Sequence, residues 1–419
     1  MSTQSTNRRS FLKTTAAIGA LSAISQSRVL GANDRIQIAS IGCGGRGRWH
    51  IGWLHRTAQD ENLAVIAACD VWKVQQERAR DEIQKRFDLT PKLYTDYREV
   101  LANPEIDAVV IATPDHQHCP MVTEAVKAGK DVYVEKPLAV NLADLNETYD
   151  TVKASDRIVQ NGSQGRSSAG AAAAREFLQA GKLGKVFRVE EMRSHYNPYW
   201  NNYECPKSEA ETNWPLFLFN LPYRPFNADM HGHWMGYRDF SPSGTIGGWM
   251  SHLADFIHYL FDCGCPVSAT TQGGIYSPTS DPRRTCLDNV TTLLHYGEGF
   301  VLSFTTHFGS GANDYTCIYG DKGIMRMNEP DGNRDGIAAV VSGDGSEHPD
   351  KIQEPLSLDN TTKEDHMANW IRCIRTRQQP NANMEWGYKQ GVACVLADQA
   401  YDEGRKMMFD PIKREIRPA

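Results

Sequence analysis

Nowhere in the 419 residues is there an uninterrupted apolar run of about 20 residues, the length a helix needs to cross a bilayer. One sign of charge does not dominate either. The 45 Lys and Arg against 51 Asp and Glu leave a net charge of −6. That is too mild a balance to suggest a nucleic-acid groove or a polybasic membrane surface. Cysteine is scattered, with none of the 10 in a CxxC pair, so neither a structural zinc site nor any other metal is expected. Cys43, Cys69 and Cys119 fall beside predicted strand ends and read as small packed thiols. There is no internal repeat and no extended low-complexity tract. What remains is an ordinary globular composition, 40% hydrophobic and 23% charged, long enough for two domains.

The first 30 or so residues stand apart. Asn7-Arg8-Arg9-Ser10-Phe11-Leu12-Lys13 is a twin-arginine pattern, followed by a weakly apolar run from Thr14 to Ile24 that is too short to span a membrane. Such a start is a bacterial export address. It predicts a signal over 1–32 and a periplasmic or otherwise extracytoplasmic protein, although no A-x-A cleavage site marks a mature start.

Beyond it, short apolar runs alternate with helical stretches. Ile36–Ile41 leads into a glycine turn and a helix. Leu63–Cys69 ends on Asp70, Ile106–Ala112 on Thr113-Pro114, Asp131–Val134 on Glu135-Lys136-Pro137, and Arg157–Gln160 on Asn161-Gly162. This rhythm implies βαβ units, hence a doubly wound parallel sheet over 33–160. The rest, 161–419, reads as a second domain of substrate-binding and oligomerisation type. A helix is expected over Ser167–Ala180. The Trp-, Tyr- and Pro-rich segment Asn197–Gly248 has little periodicity and reads as long loops. Val267–Met327 alternates apolar and polar residues, as an open antiparallel sheet would. Asp365–Arg377 and Lys389–Met407 are expected as closing helices, able to pack back on the first domain.

The chemistry concentrates at three places. In Gly42-x-Gly44-x-x-Gly47, Gly42 permits a tight turn, Gly44 lets backbone approach a pyrophosphate, and Gly47 lets helix and strand pack closely. Gly45 and Arg46 lie in the same turn, and the helix N-terminus that follows offers free N–H groups to the anion. Asp70, at the end of the second strand, is placed to accept hydrogen bonds from a ribose. Its charge repels a 2′-phosphate, so NAD(H) is expected over NADP(H), with Arg46 and Lys73 opposing that preference. In Glu135-Lys136-Pro137, Lys136 lies at a strand's carboxyl end, where it can polarise a substrate hydroxyl or relay its proton.

Ala112-Thr113-Pro114-Asp115-His116-Gln117-His118, Ala125–Gly129 and Val132–Leu138, taken with the glycine turn, resemble the Gfo/Idh/MocA oxidoreductases, which include glucose–fructose oxidoreductase and inositol dehydrogenase. The resemblance implies an N-terminal Rossmann domain and a C-terminal α/β domain with an open, mostly antiparallel sheet that often forms the interface of a homo-oligomer, here a dimer or tetramer. It assigns Gly42, Gly44, Gly47, Asp70, Thr113, Pro114, His118 and Glu135 to the surroundings of the dinucleotide, and Lys136 to the active site. Gln164 and Arg166 resemble the family's segment near the nicotinamide.

The third place is Gly247-Gly248-Trp249-Met250-Ser251-His252-Leu253-Ala254-Asp255. By resemblance His252 is the catalytic histidine at the start of a helix and Asp255 follows it on the same face. His252 would take the substrate hydroxyl proton and Asp255 would orient the imidazole or bind another hydroxyl. The sequence departs from the family at Gly248, where many relatives carry Asp. Trp200, Trp214, Trp234, Tyr237 and Trp249 are candidates for stacking on a sugar, and Arg238 for binding an acidic one. His231, His233 and His258 lack the carboxylate spacing of a metal site.

The expected function is hydride transfer between a sugar, sugar acid or polyol carbon and a nicotinamide cofactor. Two alternatives stay open: a redox-neutral glycosidase or lyase that recycles a tightly bound NAD, and a non-catalytic nucleotide- or sugar-binding protein.

Overall fold

A computed structural model describes residues 35–242, 244–311, 314–328, 338–343, 347–358 and 364–419. The twin-arginine pattern and the apolar run after it lie outside these residues.

The first sheet has six strands, β1 (Ile36–Ile41), β2 (Leu63–Cys69), β3 (Lys92–Tyr94), β4 (Ala108–Ile111), β5 (Asp131–Val134) and β6 (Val159–Asn161). Their order is β3-β2-β1-β4-β5-β6, and every pair is parallel. All four residues of β4 and of β5 are buried, because helices cover both faces of a parallel sheet. Those helices are α1 (Gly45–Thr57), α2 (Lys73–Phe87), α3 (Tyr97–Ala102), α4 (His118–Lys127) and α5 (Leu142–Lys153). Local chemistry sets their starts. Asp96 caps α3 by accepting from Arg98 N–H, and Asn141 caps α5 by accepting from Asp144 N–H. The strand order reverses between β1 and β4, so the turns after them diverge and open a crevice at the carboxyl edge.

The second sheet has ten strands: β7 (Val186–His195), β8 (Ser268–Gly274), β9 (Asn289–Tyr296), β10 (Phe300–Phe308), β11 (Tyr315–Gly320), β12 (Gly323–Asn328), β13 (Ala338–Ser342), β14 (Leu356–Leu358), β15 (Met407–Asp410) and β16 (Glu415–Pro418). Only β7 and β10 pair in parallel among the described ladders, so the sheet is mostly antiparallel, as expected. Burial alternates residue by residue along β9 and β10. One face packs on α6 (Ala169–Gln179), α9 (Ser251–Phe261) and α11 (Met384–Asp402), and the other is open. The long strand β7 was not anticipated from sequence. Its charged residues, among them Arg188, Glu190, Glu191 and Arg193, mask the period-two pattern.

The closing helices do return to the first sheet. From α10 (His366–Thr376), Met367, Trp370 and Ile371 enter the core beside Ile38, Ile51 and Tyr133. The last long helix starts earlier than expected, at Met384, because Asn383 caps it by accepting from Glu385 and Trp386 N–H. It stops at Asp402, leaving Met407 to begin β15 rather than to end a helix.

Between Asn197 and Gly248 the structure is more organised than long loops. Two one-turn helices, α7 (Trp214–Leu218) and α8 (Ala228–Gly232), surround a small aromatic core of Trp214, Phe217, Tyr237 and Phe240. No described helix is long and apolar enough to cross a membrane.

Candidate functional site

The glycine turn after β1 has the shape its spacing predicts. Gly42 has φ +82, and a Cβ there would meet Ala112 O at 2.6 Å. A Cβ on Gly47 would lie 1.9 Å from Gly42 O, so only glycine lets α1 sit this close to the turn. Gly44 and Gly45, in contrast, would meet nothing within 4 Å, which leaves their backbone open to a ligand. No side chain caps α1 and its first turn holds no acidic residue, so its N–H groups and positive dipole end face the crevice unopposed. These features fit the pyrophosphate of a dinucleotide.

That crevice is a cleft of about 640 Å³. Gly42, Gly44, Gly45, Arg46, Asp70, Thr113, Pro114, His118, Glu135 and Lys136 line it, which brings most of the expected residues to one space. Asp70 sits at one end. Its carboxylate accepts from Cys43 N–H at 2.7 Å and Trp72 N–H at 2.8 Å, and burial, partly offset by those bonds, pushes its pKa up to about 6. Lys73 is exposed and does not line the cleft, and Arg46 turns toward Glu135 at 3.8 Å rather than toward Asp70.

At the other end lies Glu135. Burial works against its charge, but Arg46, His50 and Lys136 outweigh burial and hold it below the usual carboxylate range. His50 Nε2 is 2.8 Å from the carboxylate, and Gln164 Nε2 donates to it at 3.1 Å and to Tyr133 Oη at 2.9 Å. Burial in turn lowers the pKa of His50, so its imidazole is neutral near pH 7 and serves as a donor. Gln164 therefore positions Glu135 from outside the main cleft. Lys136 follows on the same loop and donates from Nζ to Gly248 O at 2.9 Å.

Several assignments change. His118 lines the cleft wall, and its ring nitrogens lie 2.7 Å from Pro137 O and 2.9 Å from Thr113 O, so it also ties the two turns together. Arg166 and Asp255 form a buried pair, with Nε–Oδ2 at 2.9 Å and Nη2–Oδ1 at 2.5 Å, and Arg166 also bonds Asn381 O at 3.0 Å. Neither lines the main cleft. Asp255 thus anchors α9 to the segment after β6, and it also lines a second cavity together with His252. His252 lies in a separate cavity of about 80 Å³ with Glu191, Arg193 and Gln164, and Trp249 lines both spaces. Trp249 belongs to an aromatic group in which Tyr199, Trp200, Trp249 and Phe308 pack together. The segment carrying Gly248 and Trp249, Ile246–Met250, is a π-helical turn, so α-helical spacing does not carry through to His252.

Of the five aromatic candidates, Trp234 and Trp249 line the cleft. Trp200 and Trp214 are fully buried, and Tyr237 is buried against Asp229 and Arg284. Arg238 is tied to Asp398 at 3.1 Å and Asp402 at 2.8 Å, away from the cleft. His231 bonds Thr212, His233 bonds Asp229, and His258 bonds Tyr296. Among the described residues no three His, Cys, Asp or Glu side chains are grouped to hold a metal ion.

Sequence reasoning missed the roof. The 197–248 segment closes over the cleft and is fastened to both of its walls. Thr212 bridges Trp72, and Asn213 N–H donates to Val71 O at 2.8 Å after β2. Beyond β4, His116 N–H donates to Phe240 O at 3.1 Å, Gln117 Nε2 to Phe217 O at 2.9 Å, and Ser241 Oγ to Asp115 at 2.6 Å. Tyr199, Tyr203, His231 and Met235 line the cleft from this roof. The aperiodic, aromatic-rich composition was the only signal of it.

Comparison with known proteins agrees with this geometry. Residues 36–163 match the oxidoreductase family with an NAD-binding Rossmann fold, and residues 217–326 match the GFO/IDH/MocA C-terminal domain. The chain is 33% identical over 175 residues to glycosyl hydrolase family 109 protein 2 of Shewanella sp. (strain ANA-3), covering 36% of this chain and 38% of that one. Matches to such family 109 proteins span only 25 to 38% of their length. Mouse trans-1,2-dihydrobenzene-1,2-diol dehydrogenase is 24% identical, over 76% of this chain and 81% of its own. In fold, a levoglucosan dehydrogenase solved with NADH and levoglucosan superposes with a TM-score of 0.67 at 16% identity, over 89% of this chain and 98% of that one. The two matched regions together take in more than half of the sequence, and the chain belongs to the Gfo/Idh/MocA family of NAD-binding oxidoreductases.

Proposed function

We propose that this protein moves a hydride between a carbon of a sugar, sugar acid or polyol and NAD(H), with Lys136 at the reacting centre. The observation that carries the reading is the single cleft holding the open glycine turn, Asp70, Glu135 and Lys136. The turn and the N-terminus of α1 would hold the pyrophosphate, and Asp70 the adenosine ribose. When bound, the nicotinamide supplies the two-electron acceptor. Lys136, held by Gly248 O and beside the charge of Glu135, polarises the substrate oxygen; its ammonium gives a proton to that oxygen as hydride reduces the carbonyl, and in the oxidising direction its neutral amine takes the same proton back. Trp234 and Trp249 offer faces for the C–H side of a sugar ring. Levoglucosan dehydrogenase, similar in fold, is itself named for a carbohydrate substrate.

The test is equilibrium binding of NADH followed by turnover on a panel of sugars, with Lys136→Ala alongside wild type. The variant is expected to bind NADH normally and to lose about 10²- to 10⁴-fold in kcat, the usual worth of positioned proton transfer. A wild-type protein that binds no dinucleotide overturns the reading.

A second reading has its own support. A roof fastened to both walls of the cleft suits a cofactor that stays bound through turnover, and relatives at 29 to 33% identity are named glycosyl hydrolases of family 109. Oxidising a sugar carbon acidifies the neighbouring C–H, which permits elimination of a glycosidic bond before the hydride returns. Glycoside cleavage without added NAD supports this redox-neutral route, and a strict need for stoichiometric NAD removes it.

A further inference from the structure

Gly248, the position at which this sequence departs from its family, is not simply vacant. A Cβ built there would lie 2.2 Å from Tyr199 Oη and 3.2 Å from Tyr199 Cζ. The phenol of a residue 49 positions earlier in the chain thus fills the space a side chain at 248 would enter. Both residues line the main cleft, and Lys136 Nζ donates to the carbonyl of the same Gly248 at 2.9 Å. Tyr199 Oη, Gly248 and the Lys136 ammonium therefore form one corner of the cleft. The ring is held there by packing: Trp200 at 5.0 Å and Phe308 at 5.8 Å meet it edge-on, and Trp249 lies 5.5 Å away. Its hydroxyl donates to Gly244 O at 3.4 Å. An aromatic side chain wedged this tightly has few ways to move, so its hydroxyl is preorganised.

We propose that Tyr199 is a substrate-contacting residue whose phenolic hydroxyl, seated over Gly248 beside Lys136, holds a hydroxyl of the carbohydrate in place of a side chain at position 248. The assignment rests on the oxidoreductase reading of the same cleft. It also explains why position 248 carries glycine: any Cβ would push the phenol out of the corner. A phenol both donates and accepts and is neutral near pH 7, whereas a carboxylate at that place would only accept. The corner therefore presents one cation, Lys136, and one neutral hydroxyl to the substrate.

The experiment uses the full protein saturated with NAD+ and measures kcat and KM for the best substrate of a panel of hexoses, hexuronates and inositols. Tyr199→Phe keeps the ring and its packing and removes only the hydroxyl. It is expected to raise KM at least about tenfold, the worth of one lost polar contact, with NADH affinity and melting temperature unchanged. Gly248→Ala, which displaces the phenol, is expected to cause a similar loss. The double variant is expected to be no worse than Gly248→Ala alone, because both changes remove the same contact. Unchanged KM in Tyr199→Phe, or strictly additive losses in the double variant, overturns the proposal while leaving the oxidoreductase reading intact. A wild-type protein that binds NADH but turns over none of the panel overturns this proposal through its lack of substrate, and absence of NADH binding overturns the parent reading.

Discussion

At the scale of single residues, the cleft separates groups that present chemistry from groups that hold those in place. Asp70 belongs to the first kind. Its pKa stands at about 6, raised chiefly by burial, so its charged form predominates only above that pH. The ionised carboxylate is the better acceptor for ribose hydroxyls and the form that repels a 2′-phosphate. NADH affinity is therefore expected to weaken as pH falls through about 6, and to flatten in Asp70→Asn; a titration of Kd against pH checks both. Arg166 and Asp255 belong to the second kind. Each is almost wholly buried and they bond through two contacts, so removing one partner strands a charge. Asp255→Asn is expected to destabilise the fold by about 3–5 kcal/mol, read in urea unfolding, while kcat of the folded fraction holds. A variant that melts normally but loses turnover would return Asp255 to the reaction. The sequence showed this pair only as family positions. The distance from Arg166 to Asp255 along the chain hides a contact that only the folded packing of α9 creates.

At the scale of elements, legibility followed the range of the signal. The βαβ half could be read because each buried strand is a continuous apolar run ending at a turn residue whose job is local, as with Gly42, Asp70 and Lys136. Strand β7 could not, since Arg188 and Glu190 pair with each other and Glu191 takes hydrogen bonds from Arg193 and Thr316, contacts invisible in a one-dimensional pattern. The roof was illegible for a related reason. Its order comes from hydrogen bonds to the turns after β2 and β4, not from any period of its own. His252 and Asp255 fall in one helix and line one cavity, as their spacing implied, but the sequence did not show that this cavity is separate from the main cleft. The glycine turn, in contrast, gives an element-level prediction free of such long-range terms. Gly47→Ala must open the contact between α1 and Gly42 O, now at 1.9 Å from the ideal Cβ. It is expected to cost about 1–3 kcal/mol, the range for overpacking, and to weaken NADH binding with it. Equal melting temperatures for Gly47→Ala and wild type would mean the turn relaxes freely and is no fixed cradle.

At the scale of the whole molecule, the arrangement bears on where the cofactor is acquired. The cleft floor comes from the first sheet and its roof from the 197–248 segment, which is bonded to the turns flanking both sides of the crevice. The roof is fastened at Thr212–Trp72 and at Ser241–Asp115, and we propose that these contacts slow the release of a bound dinucleotide. Slow release matters little in a cytoplasm rich in NAD and matters greatly outside it. Twin-arginine export carries folded proteins, so the reading of Arg8 and Arg9 as an export address and the fastened roof support the same proposal: the protein is loaded with NAD before export and keeps it. Protein purified without nucleotide and passed through a desalting column is then expected to release close to one NAD(H) per chain on denaturation. It is also expected to process a suitable glycoside or sugar pair over many cycles with none added. Ser241→Ala, which removes the roof's bond to Asp115, is expected to lower the retained nucleotide. Protein that emerges empty and turns over only when NAD is supplied would instead describe a dehydrogenase drawing on a free pool, and the roof would then serve the sugar rather than the cofactor.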